Sequence, residues 1–167
     1  MTINYTTGNV KWENAHDPSD KKFYYLPYRP APWQASTDYV KDVSSVSPTV
    51  ANGCIYECAS GGTSDTTEPT WGTVEGKKTT DNDIDWLCVP DTCLLQPGDT
   101  ITISTWTATD CTLDNESIVS GIITKVRLTA VPAGAKTVTL TNHITITRAN
   151  SDEEERERSI IITIKDL

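Results

Sequence analysis

Several features that would point to common functions are missing from this chain of 167 residues. Its 14 Lys and Arg residues are outnumbered by 23 Asp and Glu residues, which gives a net charge of −9, and no basic stripe is visible. Phosphate backbones are bound mainly by clustered Lys and Arg, so we expect no nucleic-acid partner. No segment approaches the roughly 20 apolar residues of a membrane-spanning helix, so we expect no membrane partner either.

The first residues also lack the basic and apolar regions of a secretory signal peptide. We therefore expect synthesis in a cytoplasm and release, if any, by a route that needs no N-terminal signal, such as virion assembly followed by lysis. The five cysteines are informative in this context, because cytosolic thiols stay reduced whereas a released particle can oxidise them. An odd number leaves at least one thiol unpaired within the chain.

Catalytic signatures are equally scarce. The sequence has no phosphate-binding glycine loop and no Gly-x-Ser-x-Gly motif. Its two histidines, His16 and His143, lie in different segments and are interpreted as structural. Abundant carboxylates on an acidic surface are a weak indication of an acid–base pair. We predict a protein that is not an enzyme and that needs neither a cofactor nor a metal.

The sequence is rich in β-strand patterns. Polar and apolar residues alternate from Thr100 to Trp106, which predicts Ile101 and Ile103 on one buried side. Helix signals are nearly absent, so the fold class is predicted to be all-β. The same alternation recurs in two later segments, at Val138, Leu140, Ile144 and Ile146, and at Ile160, Ile162 and Ile164.

A change of composition near Pro90 predicts two domains. Four of the five tryptophans precede Cys88, whereas the β-branched alternation follows it. We expect an extended N-terminal arm over residues 1–32, with a flexible leader as the alternative. A small aromatic-rich β-module is predicted over residues 33–92, and a β-sandwich over residues 93–167. The arm would lie against a neighbouring subunit or against its own first domain.

Motifs in the predicted module occur in a characteristic order: Trp33-Gln-Ala-Ser-Thr-Asp-Tyr39, Asn52-Gly-Cys-Ile-Tyr-Glu-Cys58, Gly62-Thr-Ser64, Glu68-Pro-Thr-Trp71 and Asp85-Trp86. The segment resembles the small aromatic module repeated in phage tail-fibre and virion proteins, which is itself similar to chitin-binding carbohydrate-binding domains. Four rings are candidates for stacking on sugars: Trp33, Tyr56, Trp71 and Trp86. The alternative, which we favour, is that these rings fill a core with few aliphatic residues.

The second half carries Leu95-Gln-Pro-Gly-Asp-Thr-Ile-Thr-Ile-Ser-Thr-Trp106, Thr139-Leu-Thr-Asn-His-Ile-Thr145 and Glu157-Arg-Ser-Ile-Ile-Ile-Thr-Ile-Lys165. It resembles the phage fibre–tail adaptor family, whose members are similar to immunoglobulin-like sandwiches. This resemblance implies an immunoglobulin-like β-sandwich in a neck or collar protein of the virion. Several copies would form a homo-oligomeric ring that contacts other virion proteins. The alternatives are a capsid decoration protein, a tail-fibre protein, or a soluble carbohydrate-binding module that binds a cell-surface glycan.

All five cysteines are disulfide candidates: Cys54, Cys58, Cys88, Cys93 and Cys111. Cys54 and Cys58 share one face of a predicted strand, at a separation that argues against a bond between them. A zinc site built from Cys54, Cys58, Cys88 and Cys93 fits poorly, because structural zinc ligands usually sit on tight knuckles. Bonds within or between chains and reduced buried thiols remain the alternatives. Cys111, at a predicted turn, is the thiol most available to a neighbouring subunit if it is exposed.

The acidic run from Asp152 to Arg158 precedes the last predicted strand. It could dock to a basic partner, but a solvated, salt-bridged hairpin tip is the favoured interpretation. The run is longer than the turn expected from the resemblance, so an extra helical turn is predicted there.

Overall fold

The computed structural model describes residues 2–3, 10–11 and 15–165. Over this part of the chain the secondary structure consists of strands and turns without a helix, so the all-β prediction is confirmed. No described segment is a helix able to cross a membrane. The strands are β1 Thr2–Ile3, β2 Val10–Lys11, β3 Lys22–Pro27, β4 Asp38–Tyr39, β5 Ser45–Val46, β6 Cys54–Ser60, β7 Gly62–Thr63, β8 Lys78–Asp81, β9 Ile84–Pro90, β10 Thr100–Thr107, β11 Thr112–Val119, β12 Ile123–Ala130, β13 Thr137–Thr147 and β14 Glu153–Thr163.

The chain divides into two compact units. Residues 1–28 together with 94–167 form the first, which we call the sandwich unit, and residues 29–93 form the second, the aromatic module. The predicted end of the module at residue 92 is therefore within one residue of the observed boundary. Its start differs more, because the module begins at Arg29 and not at Trp33.

Two β-sheets build the sandwich unit, with strand orders β1-β2-β14-β13-β10 and β11-β12-β3. Their longest ladder is the antiparallel pair β13–β14, which runs from Thr137 opposite Thr163 to Thr147 opposite Glu153. The alternation in these strands predicted their buried faces correctly. The core combines buried side chains from both sheets and from the segments next to them: Tyr24, Leu26, Tyr28, Leu95, Ile101, Trp106, Val126, Leu128, Val138, Leu140, Ile144, Ile146, Ile160, Ile162 and Ile164.

The predicted N-terminal arm is wrong for residues 22–28. Strand β3 pairs antiparallel with β12 over six residues, and Tyr24, Leu26 and Tyr28 are fully buried in the sandwich core. The alternation was hidden because both faces of β3 carry aromatic rings, with Phe23 and Tyr25 on the side opposite Tyr24. Residues 29–32 belong to the aromatic module. The rest of the predicted arm at residues 1, 4–9 and 12–14 lies outside the described residues.

Strand β10 departs from the simple alternation at one point. The register against β13 shifts between Ile101, opposite Ile146, and Ile103, opposite Thr145. A bulge of this kind turns the following residues over. Ile101 is therefore buried, whereas Ile103 is 57% exposed, and the prediction that both isoleucines face the core is wrong for Ile103.

The last hairpin has no helical turn, contrary to the prediction from its acidic run. β13 ends at Thr147 and β14 begins at Glu153, so residues 148–152 form the tip. Arg148 forms ion pairs with Asp99, at 2.5 Å, and with Glu154. Burial raises the pKa of Asp99, but hydrogen bonds from Arg148 and from two backbone N–H groups outweigh it and hold that pKa below its ordinary value. The tip is salt-bridged, as we favoured, but all of the acidic run except Asp152 lies in strand β14 and not in the tip.

A buried polar network crosses the sandwich core at Asn142 of β13. Its Oδ1 accepts hydrogen bonds from Tyr28 Oη at 2.9 Å and from Thr124 Oγ1 at 2.8 Å. Its Nδ2 donates to Ser104 Oγ at 2.8 Å and to the carbonyl oxygen of Thr105 at 3.2 Å. The amide is thus satisfied by both sheets, which fixes their relative register at this point.

The aromatic module contains a four-stranded sheet in the order β5-β6-β9-β8 and the small pair β4–β7. Asp81 faces Ile84 in the β8–β9 hairpin, and Asn82 of the two-residue turn adopts a left-handed conformation with φ of 51°. The segment at 76–83 therefore forms the first strand and the turn of a hairpin. Arg29 and Asp91 form a buried ion pair at 2.7 Å near the two ends of the module.

Candidate functional site

The four candidate sugar-stacking rings meet in the core of the aromatic module. Trp33, Tyr56 and Trp86 are buried, and Trp71 is half-buried. Tyr56 and Trp71 stack with ring centroids 4.0 Å apart, and Trp71 contacts Trp86 edge to face at 6.1 Å. These geometries are those of packed aromatic clusters. The rings are therefore core residues, as we favoured, and they do not form an exposed coplanar platform for a sugar.

Asp81 orients two of these rings from inside the module. The Nε1 atoms of Trp33 and Trp86 both donate to Asp81 Oδ2, at 2.8 and 3.0 Å. The second oxygen, Oδ1, accepts from the backbone N–H of Asp65 at 2.9 Å. Because Asp81 is only 2% exposed, this carboxylate depends on these donors in place of water. The polar edges of the two rings are thus occupied by the protein itself.

Glu68 has the same role for the Glu-Pro-Thr-Trp motif. Its carboxylate accepts from Trp71 Nε1 at 2.6 Å, from the backbone N–H of Thr49 at 2.9 Å and from the Thr49 hydroxyl. Burial raises the pKa of Glu68, but these hydrogen bonds outweigh it and lower that pKa below its ordinary value. The motif is therefore explained by a loop that holds Trp71 over Tyr56.

Sequence reasoning missed Asp81 and Asn142 as organising residues. Asp81 is one of many acidic residues, and nothing in the Thr-Thr-Asp-Asn segment marks it as buried. Asn142 occupies an inward position of a threonine-rich strand. The one sequence feature that could have marked it as important is that a polar residue stands at a position expected to be apolar. An amide at a position that alternation assigns to the core requires partners on neighbouring strands.

No disulfide joins any of the five cysteines in the structure. Four of them are buried, and Cys111 is half-buried against the sandwich core. The Sγ atoms of Cys54 and Cys88 lie 2.7 Å apart, whereas Cys58 Sγ contacts the carbonyl oxygen of Ser60 at 3.2 Å. Across residues 15–165, no group of three or more His, Cys, Asp or Glu side chains is arranged to hold a metal ion. Of the five disulfide candidates, Cys54 and Cys88 are therefore the two whose sulfur atoms lie next to each other.

The two histidines occupy contrasting places in the sandwich unit. His16 is fully buried, and its Nδ1 is hydrogen-bonded to Tyr24 Oη at 2.9 Å. Burial lowers the pKa of His16 below its ordinary value of 6.5. His143 lies on the outer face of the larger sheet, 3.1 Å from Glu157. It lines a shallow groove of about 500 Å³ together with Ile103, Thr105, Ile144, Thr145, Glu155, Arg156 and Glu157.

The outer face of the smaller sheet carries an aromatic and cationic patch, which we define as Phe23, Tyr25, Lys125 and Arg127. Tyr25 faces Lys125 and Phe23 faces Arg127 across the β3–β12 ladder. The Lys125 ammonium lies 4.9 Å from the centroid of the Phe23 ring, and the Arg127 guanidinium lies 5.6 Å from it. Tyr25 is 38% exposed. Arg127 also forms a two-bond ion pair with Asp114 of β11.

Comparison with known proteins adds no relative. No family model, no curated protein and no solved structure matches this chain.

Proposed function

We propose that this chain is a non-enzymatic structural protein of a bacteriophage virion. It acts as a neck, collar or fibre–tail adaptor component and assembles in several copies into a ring. The sequence resemblances of both halves support this proposal, and so does the presence of two small all-β units in one chain.

The observation that carries the assembly role is the aromatic and cationic patch. In a chain with a net charge of −9, Lys125 and Arg127 lie together beside Phe23 and the exposed ring of Tyr25. Aromatic residues and arginine are enriched at protein–protein interfaces, where flat rings bury much area at a low entropic cost. The complementary surface on a neighbouring copy would be acidic.

The larger sheet offers such a surface. Glu153, Glu155 and Glu157 occupy alternate exposed positions of β14, with the exposed Ile161 further along the same face. Contact between this face of one copy and the patch of the next is heterologous, so repeated contacts close into a ring when the rotation between copies allows it. Electrostatic complementarity would set the register of the contact.

The cysteines do not favour cross-linking between subunits as the main assembly device. Cys54, Cys58, Cys88 and Cys93 are buried inside the folded chain, which leaves Cys111 as the thiol nearest to solvent. Ring assembly is therefore proposed to rest on noncovalent contacts.

The first test is quantitative mass spectrometry of purified virions combined with electron microscopy. We expect the chain in multiple copies per particle, with density at the neck or collar. Density on the capsid surface or along the fibres would assign the chain to those structures instead. Absence of the chain from the virion would refute the proposal.

The second test measures self-association of the recombinant full chain by analytical ultracentrifugation. We expect Tyr25→Ser and Lys125→Glu to weaken assembly at least tenfold. Val50→Ser and Lys41→Glu are matched controls, because both change exposed side chains of the aromatic module. Equal association of all four variants with the wild type would show that the patch is not the interface.

A further inference from the structure

We propose that Cys54 and Cys88 form a redox site that closes to a disulfide inside the aromatic module. Their Sγ atoms are 2.7 Å apart, and a disulfide bond has a length of about 2.0 Å. Closure thus requires the two sulfurs to approach by less than about 1 Å. This site is independent of virion assembly, because both sulfurs belong to one chain.

The strand register explains why these two cysteines meet. β6 and β9 are antiparallel, with Cys54 opposite Pro90 and Tyr56 opposite Cys88. Cys54 and Cys88 are therefore diagonal neighbours on one face of the sheet, where side chains of adjacent strands lie within reach of each other. Cys58 is on the same strand as Cys54 but is opposite Trp86, and its thiol contacts the backbone at Ser60.

The two thiols differ in their access to an oxidant. Cys54 is 6% exposed and Cys88 is 1% exposed, so a small disulfide reaches Cys54 first. Burial and the adjacent Cys54 raise the pKa of Cys88 to about 12. Because the thiolate is the attacking species, this raised pKa disfavours attack by Cys88 and leaves Cys54 as the first nucleophile.

Oxidised glutathione is the oxidant in the proposed reaction. The Cys54 thiolate attacks one glutathione sulfur, the glutathione S–S bond breaks, and one glutathione leaves as a thiolate. Cys88 then loses its proton and attacks the Cys54 sulfur, which releases the second glutathione. The protein loses two hydrogens and two electrons, and one oxidised glutathione becomes two reduced molecules.

The bond would hold the aromatic cluster together. It joins positions 34 residues apart, and the enclosed segment contains Tyr56, Glu68, Trp71 and Asp81. Tyr56 Oη donates to the carbonyl oxygen of Gly72 at 3.2 Å, so the ring next to the sulfurs is anchored to the enclosed loop. A cross-link stabilises a protein mainly by restricting its unfolded chain, and it does so more strongly for longer loops.

The test starts with the full chain incubated with oxidised or reduced glutathione. The protein is then unfolded, alkylated with N-ethylmaleimide and weighed by mass spectrometry. We expect three alkylated cysteines after oxidation and five after reduction, together with a linked peptide pair that contains Cys54 and Cys88. Oxidation should raise the melting temperature of the aromatic module by about 5–10 °C.

Two variants sharpen the test. Cys54→Ser should leave all four remaining cysteines alkylated after oxidation and should abolish the rise in melting temperature. Cys58→Ser is the matched control from the same strand, and it should keep the bond, with two cysteines alkylated. Five alkylated cysteines in the oxidised wild type, or a linked pair other than Cys54 and Cys88, would overturn the proposal even if a variant failed to fold.

Discussion

Trp86 donates a 3.0 Å hydrogen bond from Nε1 to Oδ2 of Asp81, which lies five residues earlier on the adjacent strand of the same hairpin. Since the same oxygen accepts from Trp33, a single carboxylate connects the hairpin to the beginning of the module. The module therefore depends on an aspartate side chain that is buried away from solvent.

Replacement of Asp81 by Asn should destabilise the aromatic module by about 2–3 kcal/mol. The amide offers one oxygen where the carboxylate offers two, and its NH₂ group would face an existing donor, so at least one buried N–H loses its acceptor. Urea denaturation followed by tryptophan fluorescence measures the change. Asp83→Asn, at an exposed position of the same hairpin, should stay within about 0.5 kcal/mol of the wild type. Equal losses in the two variants would contradict the role of Asp81.

Replacement of Asn142 by Leu should destabilise the sandwich unit by about 3 kcal/mol, because it removes the acceptor of the buried Tyr28 hydroxyl and the shorter hydrogen bond of the Thr124 hydroxyl. Tyr28→Phe alone should cost about 1 kcal/mol. In the Asn142→Leu background the same change should cost much less, since the hydrogen bond is already lost. Calorimetry of the four proteins gives this coupling energy. Additive losses would show that the two side chains act independently. Thr141→Ala, which removes an exposed hydroxyl next in sequence, is the control.

Stability should decrease as the pH falls below about 6.5 because of His16. Burial lowers the pKa of this histidine in the folded chain, so protons bind the unfolded chain more readily between the ordinary value of 6.5 and the folded value. Its contribution is complete above pH 6.5 and is lost as the pH falls through the folded pKa. Urea denaturation from pH 8 to pH 5 measures the slope.

His16→Gln should remove this slope, and His143→Gln, on the outer face of the larger sheet, is the control variant. Carboxylates titrate mainly below this window, so they do not mask the effect. Identical pH profiles for the wild type and His16→Gln would rule out His16 as the source.

Gly62→Ala should destabilise the aromatic module by about 1–3 kcal/mol, since an added Cβ would lie 2.8 Å from Asp83 Cβ and 3.2 Å from the Asp83 carbonyl oxygen. Relief requires the β8–β9 turn to move away from β7. Gly72→Ala is the control, because its nearest neighbour would be the Thr79 hydroxyl at 3.4 Å. Thermal unfolding of both variants measures the difference, and a Gly62→Ala protein as stable as the control would show that the turn adapts freely.

The sequence predicted the strands whose two faces differ in polarity. β13 alternates threonine with isoleucine, leucine or valine over most of its length, so its buried side is readable without a structure. In β14, residues 153–159 are polar and Ile160, Ile161 and Ile162 are consecutive, so the alternation is confined to its end. The buried face of β3 could not be predicted from alternation, because both of its faces carry aromatic residues. The exposure of Ile103 was also unpredictable, since a bulge depends on the pairing with β13 and leaves no residue signature here.

The aromatic cluster of the candidate site could likewise be predicted only in part from the sequence. Composition alone indicated that Trp33, Tyr56 and Trp86 belong to a core, because the module has few aliphatic residues. It could not show that Asp81 and Glu68 hold the ring nitrogens, because a buried carboxylate is recognised by its partners and not by its type. The approach of Cys54 to Cys88 likewise follows from a cross-strand register that spans 34 residues.

The pairing of β3 with β12 means that the aromatic module interrupts the sandwich unit along the chain. During synthesis, all 65 residues from Arg29 to Cys93 are made before the partner of β3 exists. The module can therefore complete its own contacts on the ribosome. Strand β3 has no partner strand, and its aromatic rings have no core to pack into, until residues 123–130 of β12 emerge. β3 therefore meets its partner strand only after the whole aromatic module has been made, and β13 and β14 complete the other sheet later still.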